Sequence, residues 1–176
     1  MVTEPLQGWA DSRPADPSAS KRLMVLTYVV GGIGLAISFW YQGNGSRAAA
    51  AAWAAAVGVG ATGLVSFVRH SVFHRSDAVR MGWDYGRRND FQIEVGFANL
   101  AWGLVGIAAW ALDWGARAQG AVVLIFGLYM MCATILHVTE LRHDPEQGGG
   151  RLGPVIGSAA FSVALLAAGG SAVASL

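Results

Sequence analysis

Five long apolar runs, each ended by polar or basic residues, make up most of the chain: 23–41, 48–68, 91–112, 121–141 and 152–176. A helix needs ~20 mostly apolar residues to cross the hydrocarbon core of a bilayer, and each run comes close to that length. The pattern predicts an all-α integral membrane bundle of five transmembrane helices. These runs leave no room for a separate soluble domain, so 21–176 reads as a single transmembrane domain behind a polar, mobile tail at 1–20. The tail holds Pro5, Pro14 and Pro17 with Glu4, Asp11 and Asp16, and it lacks the compact basic start of a secretory signal. The apolar run after Lys21 and Arg22 is long enough to be a retained first span.

Basic residues set the expected orientation, because those in short loops stay on the cytoplasmic side. Arg13, Lys21 and Arg22 precede the first span, Arg69, Arg75, Arg80, Arg87 and Arg88 join the second to the third, and Arg142 and Arg151 join the fourth to the fifth. The other face has only Arg47 and Arg117. The N-terminus is therefore expected in the cytoplasm and the C-terminus outside, in a multi-pass protein of a cell inner membrane. Trp40, Tyr41, Trp53, Trp110 and Trp114 fall at the outer boundary, as an aromatic belt does. Small residues recur within the spans, in Gly31-Gly32-Ile33-Gly34, in the row Ala54, Gly58, Thr62 and Ser66, and at Ser158 and Ser162; they let helix backbones approach closely.

The composition agrees: 54% of residues are hydrophobic and 13% charged, against about 25% charged in a soluble domain. Net charge is +1, and no basic stripe with interleaved aromatics appears, so nucleic acid is not an expected partner. Cys132, the sole cysteine, lies in the fourth span and is expected to fill core space.

Against this background the ionisable residues at one end stand out, since each costs on the order of 3 kcal/mol near hydrocarbon. His70, His74 and Asp77 recur at i, i+4 and i+7, on one face if the second helix runs past Val68 toward a stop at Gly82. Asn89 or Asp90 can cap the third span, with Gln92 placed as in a capping box and Glu94 in its first turns. His137 and Glu140 are i, i+3 neighbours near the end of the fourth, and His143 follows. The spans alternate in direction, so these residues share one depth. His, Arg and Asp also coincide at offsets 0, 5 and 7 from His70 and from His137, which suggests a repeat of helix pairs.

Imidazoles and carboxylates on facing helices suit a transition metal such as iron or zinc, with His70, His74, Glu94, His137 and Glu140 as ligands. Asp77 and Asn99, with Glu94, would then serve acid/base roles in oxidation of a small or lipid-soluble substrate. Three other readings stand beside it. His70 and His137 could be axial ligands of a haem in electron transfer, although the carboxylates nearby count against this. Glu94 or Asp77, raised in pKa by desolvation, could donate a proton without any cofactor, as in terpene-type cyclisation. Lastly, the cluster could simply fasten helices in an accessory subunit or channel: His70 or His137 bonding a neighbouring helix, Asp77 pairing with Arg80, Glu94 favouring its helix N-terminus. Arg69, Arg75, Arg87 and Arg88 would form a positive rim for a phosphate or carboxylate or for anionic lipid headgroups. Met81, Trp83 and Tyr85 place this connection in the interface, over the site. Partners would be the bilayer and the substrate, with a homo-oligomer left open.

The segment from Phe73-His74 through Ala78, Gly82-Trp83 and Gly86, then Phe91-Gln92-Ile93-Glu94-Val95-Gly96-Phe97-Ala98-Asn99-Leu100-Ala101-Trp102-Gly103, with His137, resembles a group of small bacterial multi-span membrane proteins catalogued as a family of unknown function. The resemblance covers spans two to four. It implies an integral membrane fold and a pattern built around His, Gln, Glu and Asn, and it carries no activity.

Overall fold

The computed structural model describes residues 15–83, 88–143 and 152–174, with the side chain of His143 left out. All regular structure among them is helical: α1 Ser18–Gly43, α2 Arg47–Val72, α3 His74–Met81, α4 Asp90–Ala111, α5 Gly115–His143 and α6 Leu152–Ala174. Every one except the short α3 is long and apolar enough to cross a membrane, as the sequence predicts. The first helix starts before the expected boundary at residue 20. Asp16 accepts from Ser18 N at 2.9 Å, and Ser20 is already fully buried. The rest of the expected tail, 1–14, lies outside the described residues.

Local chemistry fixes the helix ends that matter. Asn89 takes an extended conformation and its Oδ1 accepts from Gln92 N at 3.1 Å, capping α4. Gly82 ends α3 with φ of 74°, a left-handed turn that a side chain would strain.

α2 is not the uniform α-helix that a face of His70, His74 and Asp77 requires. It widens into π-helical turns at Ala54–Ala61 and Val68–Val72, and the backbone leaves helical geometry at Phe73 (φ −102°, ψ 30°) before α3 begins. A π turn shifts the residues after it around the axis. Asp77 therefore faces back toward His70, whereas the His74 ring bonds the carbonyl of Ser71 at 3.0 Å.

Packing divides the bundle into two halves. Toward the end that carries Trp40, Trp110 and Trp114, a dense core forms around Phe126, Leu165, Val59 and Phe161. α2 and α4 meet backbone to backbone: a Cβ on Gly63 would sit 2.7 Å from the backbone of both Asn99 and Gly103. This backbone-to-backbone contact holds α4 against α2, with Gln92 and Asn99 turned inward. Toward the basic end the helices diverge around a cavity.

Candidate functional site

The cavity has a volume of about 910 Å³ and reaches from the basic end to the level of Thr62. Met24, Val25, Met130, Leu136 and Val155 form apolar walls, and α2 and α3 contribute the charged cluster of Arg69, Asp77 and Arg80 with His70.

Asp77 is the centre of that cluster. Its side chain is 0% exposed. Oδ1 accepts from Arg80 Nη2 at 2.8 Å and Nε at 3.0 Å, and from the Ser20 hydroxyl in a very short bond. Arg69 Nε stands 3.8 Å from the same oxygen, and His70 Nδ1 lies 2.9 Å from Oδ2. Burial alone would push this carboxyl up. The His70 contact and the Arg69 and Arg80 guanidiniums outweigh it, holding Asp77 well below the usual carboxylate range. The direction is opposite to the raised pKa expected of a proton donor: these cations favour the buried carboxylate form of Asp77.

The hydrogen bonds of His70 define its tautomer. Arg69 Nη2 faces His70 Nε2, and a guanidinium can only donate, so Nε2 accepts and Nδ1 carries the proton. That proton points to Gln92 Oε1, 2.7 Å away on α4, and Asp77 Oδ2 receives no aligned hydrogen despite its proximity. Gln92, 2% exposed, thus serves α2 and does not reach back to complete a capping box. Both ring nitrogens of His70 are engaged, and the lone pair that a metal or a haem iron would need is turned onto Arg69.

The remaining candidates separate. His137 Nδ1 meets Glu140 Oε2 at 3.1 Å on the cavity rim, with the Trp83 ring stacked on the imidazole at 6.5 Å and set edge-on to Phe91 at 6.2 Å. Glu94 is exposed and does not line the cavity; nor does His74. Among the described residues no three His, Cys, Asp or Glu side chains gather as metal ligands would. His70, His74, Glu94, His137 and Glu140 therefore fall into separate places, with His70 bound to the Asp77 cluster and His137 to Glu140. Asn99 is buried and lines the cavity, donating to its own Val95 carbonyl at 2.8 Å and to Tyr129 Oη at 3.4 Å. Cys132 is exposed and lines the cavity, contrary to the expectation of a core position. Tyr85, Arg87 and Asp144, the last a member of the repeat pattern, lie outside the described residues.

Arg69 was read in the sequence only as part of a rim, yet it sits inside. Its side chain is 13% exposed and lines the cavity between His70 and Tyr129. Among the described residues its one aligned hydrogen bond is the one to His70, and its Nε is buried without a partner. The sequence held a sign of this, since Arg69 adjoins His70 one turn after Ser66, directly at the end of the apolar run.

No curated protein and no solved structure matches the chain. A family model does, over residues 21–168, and the chain belongs to that family, DUF6790, a family of unknown function.

Proposed function

We propose that this membrane protein binds a small lipid-soluble molecule in the cavity, holding a hydrogen-bond-accepting head group against Arg69 and the rest of the molecule along the apolar walls. The basic end faces the cytoplasm, as the distribution of arginines favours. One observation carries the reading: a buried guanidinium lines the cavity, its Nε shielded beside Asp77 and its Nη2 on His70, and among the described residues it makes no further aligned hydrogen bond. Unpaired buried donors carry a desolvation cost of about 1–3 kcal/mol each, more when charged, unless water or a ligand meets them. The volume lies near the top of the ~300–1,000 Å³ range of small-molecule sites.

Quenching by a brominated amphiphile tests the reading. In phosphatidylcholine nanodiscs, 11-bromoundecanol should quench Trp83 saturably, with Trp83→Phe defining that residue's share of the fluorescence. Ser66→Phe, which fills the cavity from α2, should abolish the saturable component. Quenching that rises only with bulk partitioning, identical in Ser66→Phe, would show that nothing occupies the cavity.

A further inference from the structure

We infer that the ligand is an amphiphilic monoanion, its single charge seated on Arg69 and its chain lying against Met24, Met130 and Leu136; this rests on the binding reading above and names the class of molecule.

Two guanidiniums, Arg69 and Arg80, surround one carboxylate, Asp77, and His70 is held in a neutral tautomer by its neighbours. The cluster therefore retains one positive charge. At the mouth Lys21 and Glu140 carry opposite signs and leave that balance unchanged. A neutral ligand would leave a buried charge uncompensated, a cation would add to it, and a dianion would overshoot it.

Donor accounting points the same way. Thr27 and Thr62 line the deeper cavity, but each hydroxyl hydrogen is committed to its own helix, to Leu23 O at 2.8 Å and Val57 O at 3.0 Å. Those groups make no demand on a ligand. Lys21, Ser66, Trp83 and Gln92 also line the space with donor groups, but Arg69 is the lining cation inside the cluster, and the hydroxyl of Tyr129, whose oxygen already accepts from Asn99, lines the cavity as well. An anion accepting from the fork of Arg69 satisfies both accounts, because charge-assisted bonds to guanidinium are the stronger class. The chemistry is shared by a free long-chain carboxylate and by the phosphodiester head of an anionic lipid.

Displacement of cis-parinaric acid from the protein in phosphatidylcholine nanodiscs tests the class. Decanoate should displace the probe at the lowest concentration, and decanol should need at least about tenfold more, the difference of one charge-assisted hydrogen bond. Decyltrimethylammonium should not compete, and decylphosphonate at pH 8.5, as a dianion, should compete less well than decanoate. Arg69→Met should bring decanoate to the level of decanol without moving decanol, whose binding also reports that the variant is folded; Arg69→Lys should recover part of the loss. Phosphatidylglycerol added to the discs distinguishes the sources: suppression of probe binding assigns the site to a lipid headgroup, and unchanged binding assigns it to a free acid. Decanol equal to decanoate, with Arg69→Met unchanged, would overturn the monoanion while leaving a lipid-soluble ligand in place. Failure of every amphiphile to bind would overturn both.

Discussion

Replacing Asp77 by asparagine keeps the shape of the side chain and removes the charge that the cluster is built on. The carboxylate accepts from both Arg80 donors within 3.0 Å and from the Ser20 hydroxyl, with His70 Nδ1 2.9 Å and Arg69 Nε 3.8 Å away. In Asp77→Asn the amide nitrogen must face one of these donors, and two buried guanidiniums lose their counterion. Breaking a buried ion pair by removing one partner costs about 3–5 kcal/mol. Arg80 retains partial access to water, so the lower end applies: about 3 kcal/mol at pH 7. For a chain of this length that corresponds to a fall in Tm of roughly 6–12 °C, measured by tryptophan fluorescence in detergent. Glu94→Gln, on an exposed face, should change stability by no more than about 0.5 kcal/mol. Acid provides a second readout. The folded-state pKa of Asp77 lies below its unfolded value of ~3.9, so its contribution is complete above that pH and is lost as pH falls toward the folded value. At pH 3 the gap between wild type and Asp77→Asn should narrow by about 1 kcal/mol. Equal stability of the two proteins at pH 7, or a gap that does not narrow on acidification, would refute the assignment of Asp77 as the buried anion.

Other outcomes follow from the same geometry. Gly63→Ala should lower stability by about 1–3 kcal/mol, because the added methyl meets only backbone atoms of α4; Gly32→Ala, with nothing within 4 Å, should be neutral or slightly stabilising in the same thermal unfolding assay. Ser76→Ala removes the hydroxyl that accepts from Ser20 N at 3.1 Å and donates to Asp16 O at 2.6 Å. It should release the start of α1, seen as faster hydrogen exchange there with little change at α5. Elemental analysis of purified protein should find transition metal well below one equivalent per chain, unchanged by His137→Ala; a stoichiometric metal lost in that variant would restore a centre at His137 and Glu140.

The spans were legible because hydrophobic run length answers directly to bilayer thickness. Asn89 and Gly82 were legible because capping and left-handed turns depend on a single residue's chemistry. The pairing of Asp77 with Arg80 was readable from i, i+3 spacing. What misled was extrapolating a regular helix through Val68–Val72, since a π turn depends on packing around it and leaves no periodicity of its own. The exposure of Glu94 is a different case. Gln92, Gly96, Asn99, Gly103 and Gly106 recur at helical spacing and are all buried, so they mark the inner face of α4. Glu94 is two residues from Gln92, nearly opposite on the helix, and its exposure could have been read from that stripe. Apolar count conceals it, because here the inward face is the polar and glycine-rich one while Phe97 and Leu104 are exposed.

That inversion explains how the cavity and the charge cluster belong together. In a bilayer, apolar side chains need no interior, so α4 turns Phe97 and Leu104 outward and spends its inner face on close backbone contact and hydrogen bonds. The contact at Gly63 and Gly103 draws α2 and α4 together at mid-span, and the two helices reach the basic end with Gln92 opposite His70. The π turn at Val68–Val72 presents Arg69 and His70, adjacent in sequence, to one another and to Asp77. α5 packs against α6, and Trp83, set against Phe91 and His137, lines the space beside this end of α2. A cluster needed only to fasten helices would be most stable where its donors are all paired against protein. Here one cation, fixed from behind by His70 and Asp77, faces open volume, and that arrangement favours a site over a fastener.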